Sequence, residues 1–180
     1  FGTGLTARGK RAPLDLPFAA ATGAGRIFGG TGGVMAAAIR TAHKMLTGEE
    51  LTGGPKIGEA RGLSHLKVFS LDIAQTRLNF AVVNGLGEVK SILDSVARKA
   101  SNLHFIEVMT CPGGCVGGGG QPYGTDLEAL KKRLHRIYEV DRKSKSRLSH
   151  ENEQVKHLYR TLLDHPLSET SHHLLHRTYL

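Results

Sequence analysis

The sequence lacks the features that mark several common classes of protein. It has no apolar run near the roughly 20 residues that a membrane-spanning helix needs, so we expect no membrane contact of that kind. No glycine-rich turn is followed by the Gly-Lys-Ser/Thr of a nucleotide-binding P-loop. With only 2 cysteines, the chain cannot depend on a framework of disulfides. Its 180 residues are enough for one ordinary domain with its own hydrophobic core.

Charge of one sign predominates in the composition. The formal net charge is +8, and 10 histidines come in addition, so the surface should attract acidic partners. The basic residues are scattered along the chain without a nucleic-acid-binding motif, so we expect no nucleic acid as a partner. The sequence shows no secretory segment, which favours the cytoplasm, with the periplasm or an anaerobic organelle as alternatives.

Both cysteines lie in one loop that is dominated by glycine. Cys111 and Cys115 are interspersed there with Gly113, Gly114, Gly117, Gly118, Gly119 and Gly120. Glycine at this density lets backbone N–H groups approach a bulky ligand from several directions. The thiols would follow the carboxyl end of a strand, where ligands bind in open α/β sheets. The pattern therefore indicates a metal or metal-cluster site, with a disulfide, half of a zinc site or two core thiols as alternatives.

Periodicity predicts an α/β arrangement for the first two thirds of the chain. Strands are predicted at 66–72, 77–83 and 103–109, and the last of these has the composition of a buried strand. The helix between the second and third strands would place Val89, Ile92, Leu93, Val96, Ala97 and Ala100 on its apolar face. Such a βαβ unit makes the two strands parallel.

A glycine-rich turn at 22–33 precedes a predicted helix over 33–46. The apolar residues of this helix are Val34, Ala37, Ala38 and Met45. A glycine turn that opens a helix is either a phosphate-binding loop or a turn that allows close packing. The sequence alone leaves both interpretations open.

The remainder of the chain predicts helices only. The first begins at Asp126 and has an apolar face of Leu127, Leu130, Leu134, Ile137 and Tyr138, and a basic connector follows at 142–147. A second helix, capped within 149–152, runs through Leu162 and is stopped by Pro166. The last is predicted over 168–179. Its His172 and His176 share one helical face, which fits either a zinc site or an ordinary surface.

Three stretches of the sequence resemble the iron-only, or [FeFe], hydrogenases. Residues 111–122 read CPGGCVGGGGQP and, with the preceding Glu107-Val108-Met109, resemble the third cluster-binding motif of that family. Residues 22–35 resemble its glycine-rich turn, and residues 149–179 resemble its small-subunit region. The resemblance implies part of a parallel sheet flanked by helices, followed by an all-helical carboxyl-terminal belt. It divides the chain into a loop or linker at 1–21, the carboxyl-terminal part of the cluster domain at 22–122 and a small-subunit-like region at 123–180.

The resemblance also implies a cofactor, an activity and roles for individual residues. Cys111 would ligate a [4Fe–4S] cube, and Cys115 would bridge the cube to a diiron unit, which Met109 would shield from water. The residues implied to contact this H-cluster are Phe28, Gly29, Cys111, Gly113, Gly114 and Cys115, and the glycines at 113–120 would let backbone N–H groups approach its sulfurs. The implied activity is the reversible interconversion of H2 with protons and electrons, and the implied partner is a ferredoxin or a similar acidic electron carrier.

The chain does not carry everything that this cofactor needs. A cube takes four protein thiolates, and the sequence offers 2 cysteines. The family's other motifs, a Thr-Ser-Cys-Cys-Pro stretch with the proton-donor cysteine and a Met-Pro-Cys stretch, do not occur in it. We therefore expect a fragment or one part of a split enzyme, inactive without the upstream portion of the hydrogenase. A non-catalytic iron–sulfur protein of the related assembly-factor group and a sensory paralogue remain alternatives.

Overall fold

The computed structural model describes residues 20–51, 60–124 and 126–178, so the predicted linker at 1–21 lies outside it up to residue 19. The elements in chain order are α1 (Gly23–Ile27), α2 (Gly33–Thr47), β1 (Leu66–Ile73), β2 (Thr76–Asn84), α3 (Val89–Ala97), β3 (Phe105–Met109), α4 (Leu127–Lys143), α5 (Glu153–Leu158), a π-helical turn (Tyr159–Leu163) and α6 (Glu169–Leu175). Single 3₁₀ turns lie at Cys115–Gly117 and Ser149–Glu151. None of the helices in these ranges has both the length and the hydropathy needed to cross a bilayer.

The three strands form a mixed sheet in the order β1-β2-β3. β1 is antiparallel to β2, and β2 is parallel to β3. Ala74 and Gln75 join β1 to β2 with φ angles of 48° and 66°, as a two-residue hairpin turn requires. The predicted βαβ unit of β2, α3 and β3 is confirmed, and so is the α/β fold class.

Helix α2 covers one face of the sheet. Its Met35 and Ile39 pack against Phe69, Phe80 and Val82, and the two phenylalanine rings stack with centroids 5.4 Å apart. The predicted apolar face of α2 was wrong in two positions, because Ala38 is exposed and Met45 is 66 % exposed. A run rich in alanine fits several helical faces, so its local pattern does not specify the one that packs.

The expectation that β3 is buried was wrong. Phe105 is 39 % and Val108 is 44 % exposed, and no strand of the described part of the chain pairs with the outer edge of β3. Helix α3 is similar, since Ile92 is buried but Leu93 and Val96 are 56 % and 43 % exposed. Parallel strands are normally covered on both faces. The apolar composition of a strand indicates that both of its faces are to be covered, but it does not show which other segment covers them.

The helical tail packs back onto the start of the chain. Ile137 and Tyr138 of α4 contact the cluster formed by Ala24, Ile27 and Ala37, and the predicted apolar face of α4 is otherwise confirmed except for exposed Leu127. The connector predicted at 142–147 is confirmed except at its start, because α4 continues to Lys143 and the non-helical stretch begins at Ser144. Arg147 in this connector bonds Asp141. The last helix ends at Leu175 rather than near residue 179, with Ser168 as its N-cap. The preceding helical segment ends at Leu163, as expected before Pro166.

Candidate metal-cluster site

Both cysteines line a single cavity of about 340 Å³. The other residues that line it are Val108, Met109, Thr110, Gly114, Gly118 and Gly119. Cys111 is half-buried and Cys115 is exposed, and both are free thiols, so the disulfide considered above is not formed. The cavity therefore presents two soft donor atoms to whatever occupies it.

The cavity lies at the carboxyl end of the parallel strand pair. β3 ends at Met109, whose carbonyl accepts a hydrogen bond from the Gly85 N–H at 2.7 Å. Each cysteine then begins a tight turn: the Gly114 N–H bonds the Cys111 carbonyl at 2.8 Å, and the Gly118 N–H bonds the Cys115 carbonyl at 3.1 Å. The predicted position of the thiols beyond the strand end is confirmed.

The cysteine loop docks on the glycine-rich turn between α1 and α2. The Thr31 N–H donates to the Gly113 carbonyl at 3.0 Å, and the Val116 N–H donates to the Gly29 carbonyl at 3.1 Å. Gly114 has a φ of 85°, and a Cβ there would lie 2.9 Å from the Thr31 nitrogen and 3.0 Å from the Gly29 oxygen. Only glycine allows this contact. Within the turn itself, a Cβ on Gly32 or Gly33 would overlap the carbonyl of Ala60 or Ile27, so the predicted close-packing turn is the interpretation that the structure supports.

Glycine also keeps open the space beside Cys111. A Cβ on Gly118 would lie 3.3 Å from the Cys111 Sγ, and a Cβ on Gly117 would overlap the Pro112 carbonyl. The loop can therefore present a sulfur to a bulky group without crowding from its own side chains. The described residues contain no cluster of three or more His, Cys, Asp or Glu that could hold a metal by itself.

Two polar side chains, one at the end of β2 and one within β3, hold this loop and the turn in place. The Asn84 Oδ1 accepts the Gly113 N–H at 2.6 Å, and its Nδ2 donates to the Leu63 carbonyl at 2.9 Å. The Glu107 carboxylate accepts the N–H groups of Gly32 and Met35, at 2.6 Å each. Both side chains are buried, so the bonds are made away from competing water.

Helix α4 supports the other side of the loop. The Arg133 guanidinium donates to the carbonyls of Val116, Pro122 and Gly124 at 2.9, 3.0 and 2.9 Å. The Tyr138 hydroxyl donates to the Thr31 carbonyl at 3.2 Å. Burial raises the pKa of Tyr138 to about 12, against the opposing charge of Arg61, so the hydroxyl remains a donor at neutral pH.

A half-buried lysine lies on the same face of the sheet as Glu107. Lys67 and Glu107 flank Val82 in the register of the three strands, and the Lys67 Nζ donates to the Gly62 carbonyl at 2.8 Å. Burial lowers the pKa of Lys67 to about 8, and the charge of Glu107 opposes this shift. The described part of the chain shows no ion pair between them.

The structure brings most of the predicted site residues together. Met109, Cys111, Gly114 and Cys115 line the cavity, Gly113 is buried beneath it, and Gly29 reaches the loop through its carbonyl. Phe28 is 45 % exposed and does not line the cavity. The assigned roles of these residues in holding a cofactor stay predictions.

Three residues that shape the site were missed by sequence reasoning. Glu107 carried a signal, because it is the one charged residue inside an apolar strand, and Asn84 carried a weaker one as a polar residue at a strand end. Arg133 carried none, since it lies among several other basic residues of α4. In the tail, the rings of His172 and His176 do share a face, with centroids 4.4 Å apart, but both side chains are exposed.

Comparison with known families identifies the protein family in which this arrangement of thiols and glycines occurs. Residues 6–119 match the family described as iron only hydrogenase large subunit, C-terminal domain. The chain belongs to the iron-only hydrogenase family. Residues 127–180 match the iron hydrogenase small subunit in addition.

Individual hydrogenases agree with this membership. The NADP-reducing hydrogenase subunit HndD of Solidesulfovibrio fructosivorans is 45 % identical over 167 residues, which are 92 % of this chain and 28 % of the relative. The [FeFe]-hydrogenase HydA1 from Chlamydomonas reinhardtii, solved as a variant, has a TM-score of 0.65 and 33 % identity, covering 87 % of this chain and 46 % of that one. The chain thus spans less than half the length of either relative.

The chain is also similar to proteins that are not named as hydrogenases. The cytosolic Fe-S cluster assembly factor narfl of Danio rerio is 31 % identical over 174 residues, which are 93 % of this chain and 41 % of the relative. Sequence similarity by itself therefore does not decide between the function of a hydrogenase and that of an assembly factor.

Proposed function

We propose that this chain is the carboxyl-terminal part of an iron-only hydrogenase, which interconverts H2 with protons and electrons. The observation that carries the proposal is the single cavity that Cys111, Cys115 and Met109 line at the end of the parallel strands. The relative named as a NADP-reducing hydrogenase subunit supports it, because its 45 % identity extends over 92 % of this chain.

The residues fit one side of a [4Fe–4S] cube that is bridged to a diiron unit. Thiolates are the ligands that such clusters take, and glycine at position 118 leaves room beside the Cys111 sulfur. Cys111 would hold the cube, and Cys115 would hold both parts. The bound group would supply the redox chemistry of hydrogen. The remaining cube ligands would come from the upstream portion of the hydrogenase.

The backbone of the loop narrows the choice of N–H donors. Among the residues at 113–120, whose N–H groups were expected to approach the cluster, Gly113 and Gly114 donate instead to Asn84 and to the Cys111 carbonyl. Cys115 and Gly119 line the cavity, and their N–H groups have no hydrogen-bond partner in the described residues. We assign the donor role to these two groups, since hydrogen bonds to cluster sulfurs tune reduction potential.

Met109 would exclude water from the cavity, and three residues outside its lining would hold its shape. Met109 is an apolar and polarizable neighbour for the reactive part of the cofactor. Asn84 holds the cysteine loop through Gly113, and Glu107 holds the glycine turn through Gly32. Arg133 holds the far end of the loop. Backbone N–H and C=O dipoles that are held in place in this way need no reorganisation during a reaction.

The proposal includes a ferredoxin or a similar acidic electron carrier as partner. The net charge of +8 supports this. Lys131, Arg136 and Lys143 of α4 are 57, 70 and 72 % exposed, although each is paired with Glu128 or Glu139. It also includes a cytoplasmic location, since that compartment keeps thiols reduced.

The proposal is tested by iron and acid-labile sulfide per chain, with an EPR spectrum, on protein purified without oxygen. The chain is measured alone and after the upstream region of a hydrogenase is supplied. We expect a cluster and hydrogen evolution only in the second case, and loss of hydrogen evolution in Cys115→Ser. Absence of a cluster in both cases would contradict the assignment.

A second candidate is a non-catalytic iron–sulfur protein of the assembly-factor group. The identity of 31 % to the zebrafish assembly factor, over 93 % of this chain, favours it. A cluster that forms without hydrogen evolution, and whose iron content is unchanged by Cys115→Ser, would identify this function, because a bridging cysteine is useful mainly where a diiron unit is attached.

A further inference from the structure

We propose that Glu107 is a positioning residue, which fixes the first turn of α2 to the end of β3 and thereby sets the width of the cysteine cavity. The link to a cofactor rests on the function proposed above. The capping contact itself does not, so the two can be tested separately.

The contact is made by both oxygens of one buried carboxylate. Oε1 accepts the Gly32 N–H and Oε2 accepts the Met35 N–H, at 2.6 Å each, although 75 and 72 residues separate the partners in sequence. The first N–H groups of a helix have no partner within the helix. Gly32, at the N-cap position of α2, has no side chain that could serve them. Glu107 thus does from a neighbouring strand what a capping residue does locally.

The chemistry of the contact calls for a carboxylate. Two acceptor oxygens face two N–H donors, whereas an amide would turn one NH₂ donor toward a donor. The negative charge also lies at the positive end of the dipole of a 15-residue helix. No ion pair of Glu107 occurs in the described residues, so its buried charge is stabilised by the two hydrogen bonds, by the helix end and, at longer range, by the charge of Lys67 on the same face of the sheet.

The contact connects two of the segments that surround the cavity, β3 and the turn before α2. Glu107 lies two residues before Met109 and four before Cys111, both of which line the cavity. The turn before α2 carries Thr31 and Gly29, which bond the cysteine loop at Gly113 and Val116. Without the carboxylate, β3 and the turn would be joined through the packing of α2 on the sheet and through the cysteine loop, with no side-chain hydrogen bond between them in the described residues. The position of the turn against the strand, and with it the cavity, would then be less firmly fixed.

The first test is amide hydrogen exchange in the full chain. In Glu107→Gln we expect exchange at Gly32 and Met35 to become at least about tenfold faster, the change that corresponds to roughly 1.4 kcal/mol of opening free energy. Exchange in the second half of α2 should not change. Glu88→Gln, at an exposed carboxylate, is the control and should leave all these rates unchanged. Exchange at Gly32 and Met35 that stays within twofold of wild type overturns the proposal.

A measurement on the unaltered protein covers the case in which Glu107→Gln does not fold. Scalar coupling across a hydrogen bond should connect the Gly32 and Met35 amide nitrogens to the Glu107 carboxylate carbon in an NMR spectrum. Absence of both couplings, in a spectrum where other helix-cap couplings are seen, overturns the contact.

The second test addresses the cavity and uses the assembled protein. In Glu107→Gln we expect a changed EPR spectrum at unchanged iron content, because a purely structural loss would lower the iron content instead. An identical spectrum overturns the role at the cavity while leaving the capping contact. If wild-type protein also forms no cluster, the proposed function fails, and the exchange result still decides the role of Glu107.

Discussion

Arg40 and Asp141 form a bidentate ion pair in which neither side chain is exposed to solvent. Nη1 and Nη2 of Arg40 lie 2.9 and 2.7 Å from Oδ1 and Oδ2 of Asp141, and both side chains are 0 % exposed. Arg147 reaches the same carboxylate at 2.8 Å. Because α2 belongs to the segment matched by the large-subunit family and α4 to the segment matched by the small subunit, this pair joins the two.

Removal of the carboxylate should strongly destabilise the chain. Asp141→Asn leaves the Arg40 charge buried without its counter-ion, and we expect the free energy of unfolding to fall by about 3–5 kcal/mol in a urea titration. The control is Asp94→Asn, which removes an exposed pair with Lys90 and should cost less than about 0.5 kcal/mol. Similar small losses in both variants would show that the buried pair does not join the two segments.

The same carboxylate should make stability depend on acid pH. Burial opposes ionisation of Asp141, but hydrogen bonds and charges from Arg40 and Arg147 outweigh it and hold its pKa below the ordinary value. The stabilisation is therefore complete above the unfolded pKa of about 3.9 and is lost as pH falls through the lower folded pKa. Between about pH 5 and 2, wild type should lose more unfolding free energy than Asp141→Asn. Equal losses would contradict this assignment.

The docking of the cysteine loop should depend on glycine at one position and not at another. Gly114→Ala forces a side chain into a φ of 85° and against the backbone of Gly29 and Thr31, and we expect a loss of about 1–3 kcal/mol in unfolding free energy. Gly119→Ala is the matched control, because a Cβ there meets nothing within 4 Å. The loop does not pack on the turn as described if the two variants are equally stable.

The far end of the loop should loosen when Arg133 is replaced. Arg133→Met removes three hydrogen bonds to carbonyls of residues 116–124, and we expect limited proteolysis to cut this segment several-fold faster. Lys132→Met alters the exposed neighbouring residue and should leave the cleavage rate unchanged. A cleavage rate in Arg133→Met equal to that of the control would remove Arg133 from the account of the loop.

Local patterns in the sequence were sufficient to place the elements around the site. The alternation and turn residues of the second and third strands, with a helix between them, fixed a parallel pair, and the cysteine motif then had to follow the strand end. This placement of Cys111 and Cys115 needed no knowledge of packing.

The contacts that shape the cavity could not be predicted in this way. The partners of Glu107 and Asn84, and the Arg40 partner of Asp141, lie 21 to 101 residues away in sequence, and no local period encodes such pairings. The exposure of Phe105 and Val108 has the same origin, since it depends on what lies beside β3 rather than on β3 itself. Local residue propensity indicates which segments form strands or helices, whereas the tertiary fold determines which side chains lie next to them.

The most direct measurement of the central claim is alkylation of the two thiols, followed by mass spectrometry, with and without iron and the upstream region of a hydrogenase. Alone, the chain should be alkylated faster at exposed Cys115 than at half-buried Cys111. In the iron-loaded assembly, both thiols should be protected, because both would be bound to the cluster. Alkylation of either cysteine at the same rate with and without iron would contradict the claim that the two thiols hold one cofactor.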